Sequence, residues 1–239
     1  EFPDIMKKML HLLSEAYDYP VDVEFTVNFR NDSTFFFNLV QCRPLQTRGL
    51  GKNIEIPKLD SKEECLFYSE GNFMGGNLRI PVDKIIFVDI HEYLEMPEQE
   101  KYQVARYIGK LNQILKNQNV LLMGPGRWGT TTPSLGVPVH FTEISHMAAI
   151  CEISYQDEGL MPELSYGSHF FQDLVESGVF YIALFKEQKN VVFHEEMLKK
   201  ENLLANYISE AEDYKKCIQV LDTKGMELYS DISCQRVFC

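Results

Sequence analysis

Asp22, Glu24 and Thr26 alternate along one β-rich run, VDVEFTVNF (21–29), and Leu39, Gln41 and Arg43 alternate along and just past the next, TFFFNLVQC (34–42). Successive side chains of a strand point to opposite faces, so each triplet occupies a single face. The polar break Arg30-Asn31-Asp32-Ser33 between the runs predicts a hairpin. A tight turn over 30–33 sets Asp22 opposite Gln41, with Glu24 on the adjacent diagonal. Two carboxylates, an amide and a guanidinium then converge on one surface. Carboxylate and amide oxygens are hard ligands suited to Mg²⁺, and a guanidinium suits a phosphate oxygen. The same spacing also fits a solvated hairpin face carrying ordinary polar residues.

A second constellation follows Val120–Met123, which runs directly into Gly124-Pro125-Gly126-Arg127-Trp128-Gly129-Thr130-Thr131-Thr132. A glycine-rich loop after a strand can present backbone N–H groups to an anion. Arg127 adds a bidentate cation, and Trp128, the single tryptophan, could stack on a base or pack beneath the loop. The Lys-Ser/Thr ending of a P-loop is missing, and continuation into threonines and Pro133 does not suit a dinucleotide fingerprint. A tight turn anchored by a buried tryptophan accounts for the same residues. His169 follows Ser168 in the first turn of a predicted helix, where an imidazole beside open N–H groups could meet an anion. His140, Glu143 and His146 are spaced three apart, which suits a zinc helix poorly.

These groups need elements to hold them. Ile5, Met6, Met9, Leu10, Leu12, Leu13 and Tyr17 form one apolar helix face, and opening inside such a pattern suggests that residues preceded Glu1. Pro44, Gly49, Gly51 and Pro57 mark a linker. Beyond it, strands are expected at 65–68, 85–89, 120–123, 148–155, 179–185, 191–193, 218–221 and 226–229, and helices at 98–116, 168–177 and 195–214. Gly178 is the expected stop of the second helix. The implied class is α+β, a mixed sheet with covering helices in 53–239, preceded by a helix and hairpin in 1–48. The 239 residues carry a formal charge of −12, which excludes duplex nucleic acid as a partner, and no apolar run is long enough to cross a membrane. Six cysteines without a CxxC spacing imply reduced thiols in a cytoplasmic protein.

Asp22-Val23-Glu24-Phe25-Thr26-Val27 and Leu39-Val40-Gln41-Cys42-Arg43-Pro44 resemble the end of the ATP-grasp domain of phosphoenolpyruvate synthases and pyruvate phosphate dikinases. The resemblance spans about the first 48 residues. It implies that residues 1–48 are the terminal helix and hairpin of a truncated ATP-grasp domain. It further implies that Glu24 and Gln41 hold the nucleotide's Mg²⁺ ions, that Arg43 contacts phosphate, and that ATP is the cofactor of the intact protein. The family's phosphate-covering loop and its Thr-Cys-His-Ala phosphoacceptor run have no counterpart in this chain. Gly126–Gly129, Ser134–Val139 and Gly167–Phe171 occur in the same order in the carboxy-terminal region of some bacterial proteins of this kind, a region to which the resemblance attaches no activity.

The leading expectation is therefore part of an ATP-dependent kinase or dikinase acting on a pyruvate- or phosphoenolpyruvate-type substrate. This chain alone would be inactive, and it would pack against missing N-terminal lobes. The alternatives are a non-catalytic ligand-sensing or docking domain that binds a small phosphorylated or carboxylate ligand through Gly126, Arg127, Trp128 and His169, and a purely structural domain.

Overall fold

The computed structural model describes residues 2–30, 34–44, 54–57, 59, 61–154, 165 and 169–239, without the side chains of His169, Phe171, Gln172 and Val175. The expected linker falls mostly outside the described residues. The chain divides into two units, Glu1–Gln46 and Thr47–Cys239.

In the first unit, helix α1 (Phe2–Tyr17) leads into an antiparallel hairpin of β1 (Val21–Phe29) and β2 (Phe35–Pro44). Asp18 closes the helix in the left-handed region at φ 49°, with the Tyr19 N–H donating to the Ser14 carbonyl at 3.1 Å. Such a bond satisfies a carbonyl that the last helical turn leaves open. Phe2 packs its ring 6.2 Å from that of Phe25 and 5.9 Å from that of Phe35, so α1 covers the odd-numbered, apolar face of β1.

The second unit contains β3 (Phe67–Glu70), β4 (Phe73–Met74), β5 (Leu78–Val88), α2 (Ile90–Glu95), α3 (Glu98–Ile114), β6 (Val120–Pro125), β7 (Arg127–Trp128), β8 (Gly136–Val137), β9 (Ala149–Ser154), α4 (His169–Glu176), β10 (Phe180–Phe185), β11 (Val191–Phe193), α5 (Leu204–Tyr207), β12 (Ile218–Asp231) and β13 (Arg236–Phe238). All but β7 and β8 join one curled mixed sheet in the order β11-β3-β13-β12-β5-β6-β9-β10-β4. Its central pairs β5-β6, β6-β9 and β9-β10 are parallel, and the flanking pairs are antiparallel.

Parallel strands buried on both sides read as continuous apolar runs, and these strands are of that kind. Val120, Leu122, Ile150, Tyr181 and Ala183 face one core with Val104, Ile108 and Leu111 of α3 and Leu174 of α4. Leu121, Met123, Cys151, Phe180 and Ile182 face the other core, where the curl of the sheet brings them together with Phe67, Ile80, Leu228 and Val237.

Several elements depart from expectation. The helix expected at 195–214 is three short pieces: 3-10 turns at Glu195–Leu198 and Ser209–Tyr214 flank α5. Asn202 interrupts the run, its Oδ1 accepting from the N–H groups of Leu204 and Val220 and its Nδ2 donating to Lys215 and Ile218 carbonyls. Side-chain bonds of this kind compete with a helical ladder. The strands expected at 218–221 and 226–229 are one strand, β12, which bulges between Asp222 and Met226 where Lys224 and Gly225 take φ 47° and 95°. α2, β4 and β13 carried too few residues to register as periodic. Among the described residues no helix is long and apolar enough to cross a membrane.

Gly178 ends α4 as expected, at φ 72°, with the Val179 N–H donating to the Leu174 carbonyl at 3.0 Å. A Cβ there meets no neighbour, so Gly178→Ala isolates the backbone cost. The substitution is expected to lower unfolding stability by about 1 kcal/mol, read from urea denaturation with an unchanged m-value.

Candidate functional site

In the first unit the hairpin register differs from the tight-turn expectation. Asp22 lies opposite Arg43 rather than Gln41, and Glu24 lies directly opposite Gln41. Two causes add. The connection is longer, with the Arg30 N–H donating to the Thr34 carbonyl at 2.8 Å, and the register shifts again between Glu24 and Phe25, where Val40 is the extra residue on β2. Each moves the partner by one, and together they restore the shared face.

The even-numbered face of β1 thus carries Asp22, Glu24 and Thr26 against Arg43, Gln41 and Asn38. The Arg43 Nε sits 3.3 Å from Asp22 Oδ2, and Asn38 Nδ2 donates to Thr26 Oγ1 at 3.4 Å. The half-buried Asp22–Arg43 pair fixes the guanidinium at one end of the face and leaves Glu24 and Gln41 as adjacent oxygen donors. One carboxylate and one amide oxygen fit Mg²⁺, which keeps several waters and completes its shell with phosphate oxygens.

In the second unit the glycine-rich segment occupies the carboxyl ends of β6 and β9, the edge of a parallel sheet where ligands characteristically bind. Its backbone, however, is already engaged. The N–H groups of Gly126, Arg127 and Gly129 donate to the carbonyls of Ile153, Leu135 and Val137 at 3.0, 3.0 and 3.2 Å. The Trp128 N–H donates to Glu152 Oε1 at 2.9 Å. The expectation of an N–H cradle for an anion is therefore corrected, because all four amides have protein acceptors. Trp128 is fully buried, its ring lying over Gly124, so stacking on an exposed base is corrected as well. The Arg127 side chain is half-buried.

Glu152 is the residue that sequence reading missed. It is fully buried on β9 and gathers donors from three places: the Trp128 N–H, the Ser165 N–H at 2.6 Å and hydroxyl at 2.5 Å, and the Tyr181 hydroxyl of β10 at 2.7 Å. Burial pushes its carboxyl above the usual carboxylate range, and the hydrogen bonds from Ser165, Tyr181 and Trp128 oppose that shift without overcoming it. A lone acid inside the apolar run Ala149–Ser154 was the available signal.

Close approaches explain the glycines. A Cβ on Gly124 would lie 2.8 Å from the Trp128 ring, and one on Gly129 2.3 Å from Phe170 of α4. On Gly136 it would lie 2.1 Å from the Arg127 carbonyl oxygen. His169 is the first residue of α4, as expected, while its side chain and Ser168 lie outside the described residues.

In the histidine series, the contacts are made by backbone amides and by Glu143. Glu143 caps the turn at Phe141–Glu143 by accepting the His140 N–H at 2.8 Å and pairs with Arg106 at 2.9 Å. The His146 N–H donates to Asn112 Oδ1 at 3.0 Å. Among the described residues no group of three or more His, Cys, Asp or Glu could hold a metal. Comparison with protein families, curated proteins and solved structures finds no match for this chain.

Because Gly136 must both hold φ 151° and clear the Arg127 backbone, Gly136→Ala is expected to destabilise the second unit by about 3 kcal/mol or more. Thermal unfolding followed through Trp128 fluorescence reads the loss.

Proposed function

We propose that the first unit is the metal- and phosphate-holding end of an ATP-dependent phosphotransferase of the phosphoenolpyruvate synthase and pyruvate phosphate dikinase kind, whose intact form acts on a pyruvate- or phosphoenolpyruvate-type substrate. The observation that carries this reading is the cross-strand pair Glu24–Gln41 beside the Asp22–Arg43 ion pair on one face of the hairpin. Glu24 and Gln41 would supply oxygens to Mg²⁺ bound to the nucleotide, where the ion would provide neutralisation of phosphate charge. Asp22 orients Arg43, whose guanidinium binds a phosphate oxygen. Positioning and charge neutralisation supply most of the catalysis in phosphoryl transfer, so these groups are binding and orienting groups rather than acids or bases.

The second unit is proposed as an accessory domain of the same protein. Its glycine-rich segment is built by internal bonds, which favours a scaffold for Arg127 over a nucleotide cradle. By itself the chain is expected to bind Mg-ATP weakly and to transfer no phosphoryl group.

The test is paramagnetic broadening of backbone amide resonances of the full chain by Mn²⁺, with and without ADP. Broadening centred on Glu24 and Gln41, strengthened by ADP and weakened about tenfold in Glu24→Gln, is the expected result, since the substitution removes the charged oxygen ligand that Mg²⁺-type ions favour. Broadening spread over other acidic surfaces, unchanged by that substitution, would remove the proposal.

A further inference from the structure

Ser165 makes two hydrogen bonds that one hydroxyl proton cannot serve together. Its Oγ lies 2.5 Å from Glu152 Oε1 and 3.2 Å from the Trp128 carbonyl oxygen. A carbonyl only accepts, so the second contact uses the serine proton. The first is then a hydrogen bond only if the proton comes from Glu152. With that proton on Oε1, both Ser165 contacts are met: Oε1–H donates to Ser165 Oγ, and Ser165 Oγ–H donates to the Trp128 carbonyl. The Trp128 N–H still donates to Oε1, and the Ser165 N–H and Tyr181 hydroxyl still donate to Oε2. With Glu152 ionised, Ser165 must turn its proton to the carboxylate, and the Trp128 carbonyl loses that hydrogen bond.

We propose that Glu152 is a neutral carboxylic acid in the folded protein at pH values where exposed glutamates are ionised, and that its ionisation as pH rises breaks the Glu152–Ser165–Trp128 relay and loosens the segment carrying Arg127. The relay is a pH-sensitive clamp on the carboxyl edge of β6 and β9. No oxidant or co-reactant enters: one proton leaves Oε1 for solvent, and the serine hydroxyl rotates.

The surroundings favour the neutral form. Among the described residues, the Tyr181 hydroxyl on β10 donates to Glu152. Cys151, its neighbour on β9, is fully buried, with a thiol pushed well above its ordinary range by burial, so it brings no charge to Glu152. Arg127 adjoins Trp128 on the loop. Asp173 and Glu176 on α4, whose Phe170 packs on Gly129, are exposed. Burial is the largest influence on the carboxyl, and it acts against charge.

A carboxyl raised by folding contributes stability that is complete below the unfolded glutamate value of about 4.3 and is lost as pH rises through the folded value.

The decisive measurement is a ¹³C NMR titration of the glutamate carboxyls in the full chain, with Glu152 assigned through bonds in the unsubstituted protein. The Glu152 resonance is expected to stay at its protonated position after those of exposed glutamates have moved, and the Trp128 emission is expected to change at the same midpoint. Glu152→Gln supplies the second reading: it keeps an uncharged side chain at this position at every pH, so the change in Trp128 emission at that midpoint should vanish. A Glu152 carboxyl titrating with its exposed counterparts, or an emission change that persists in Glu152→Gln, overturns the proposal.

Discussion

A carboxyl group sealed from water must find its hydrogen-bond partners inside the protein, and the second unit is organised around meeting that demand for Glu152. Its two oxygens hold the loop after β6 through Trp128, strand β10 through Tyr181, and Ser165. With the amide fixed, the Trp128 ring drops into the core between the sheet and α3. That position brings the ring against Gly124, where no side chain larger than hydrogen fits. Gly129 and Gly136 obey the same logic, one against Phe170 and the other against the Arg127 backbone. The glycine-rich stretch is thus permissive for close packing rather than for flexibility.

The two units solve different problems with related materials. In the first unit the polar groups lie on an open hairpin face, where a ligand can exchange with water. The Asp22–Arg43 pair is half-buried, which limits its contribution to stability, while its geometry keeps the guanidinium beside the Glu24–Gln41 oxygens. In the second unit the polar groups are turned inward and saturate one another. On the proposed reading, the hairpin handles a diffusing ligand and the buried acid exerts conformational control.

The sequence pattern reveals the elements far better than their pairing. Alternation on β1 and β2 locates both strands and their polar face. The register, however, depends on a five-residue connection and on Val40 as an extra residue, and nothing in the alternation marks either one. The apolar runs of β6, β9 and β10 disclose strands buried on both faces. Yet apolar spacing also suggested a helix over 195–214, where hydrogen bonds from one side chain, Asn202, stop it. At the loop, glycines, arginine and tryptophan are visible in the sequence, and both an anion cradle and a tryptophan-anchored turn fit them. The choice depends on where the backbone N–H groups end, which is a tertiary fact. Glu152 escaped notice because a single acid in a strand reads as a face alternation until its burial is known.

The engagement of the loop backbone is most directly tested by amide hydrogen exchange at Gly126, Arg127, Trp128 and Gly129. With four protein acceptors in place, their protection is expected to match that of Leu122 and Ile150 in the neighbouring strands. Exchange at the rate of an open loop, slowed only when phosphate or another anion is added, would contradict the internal clamp and restore the N–H cradle.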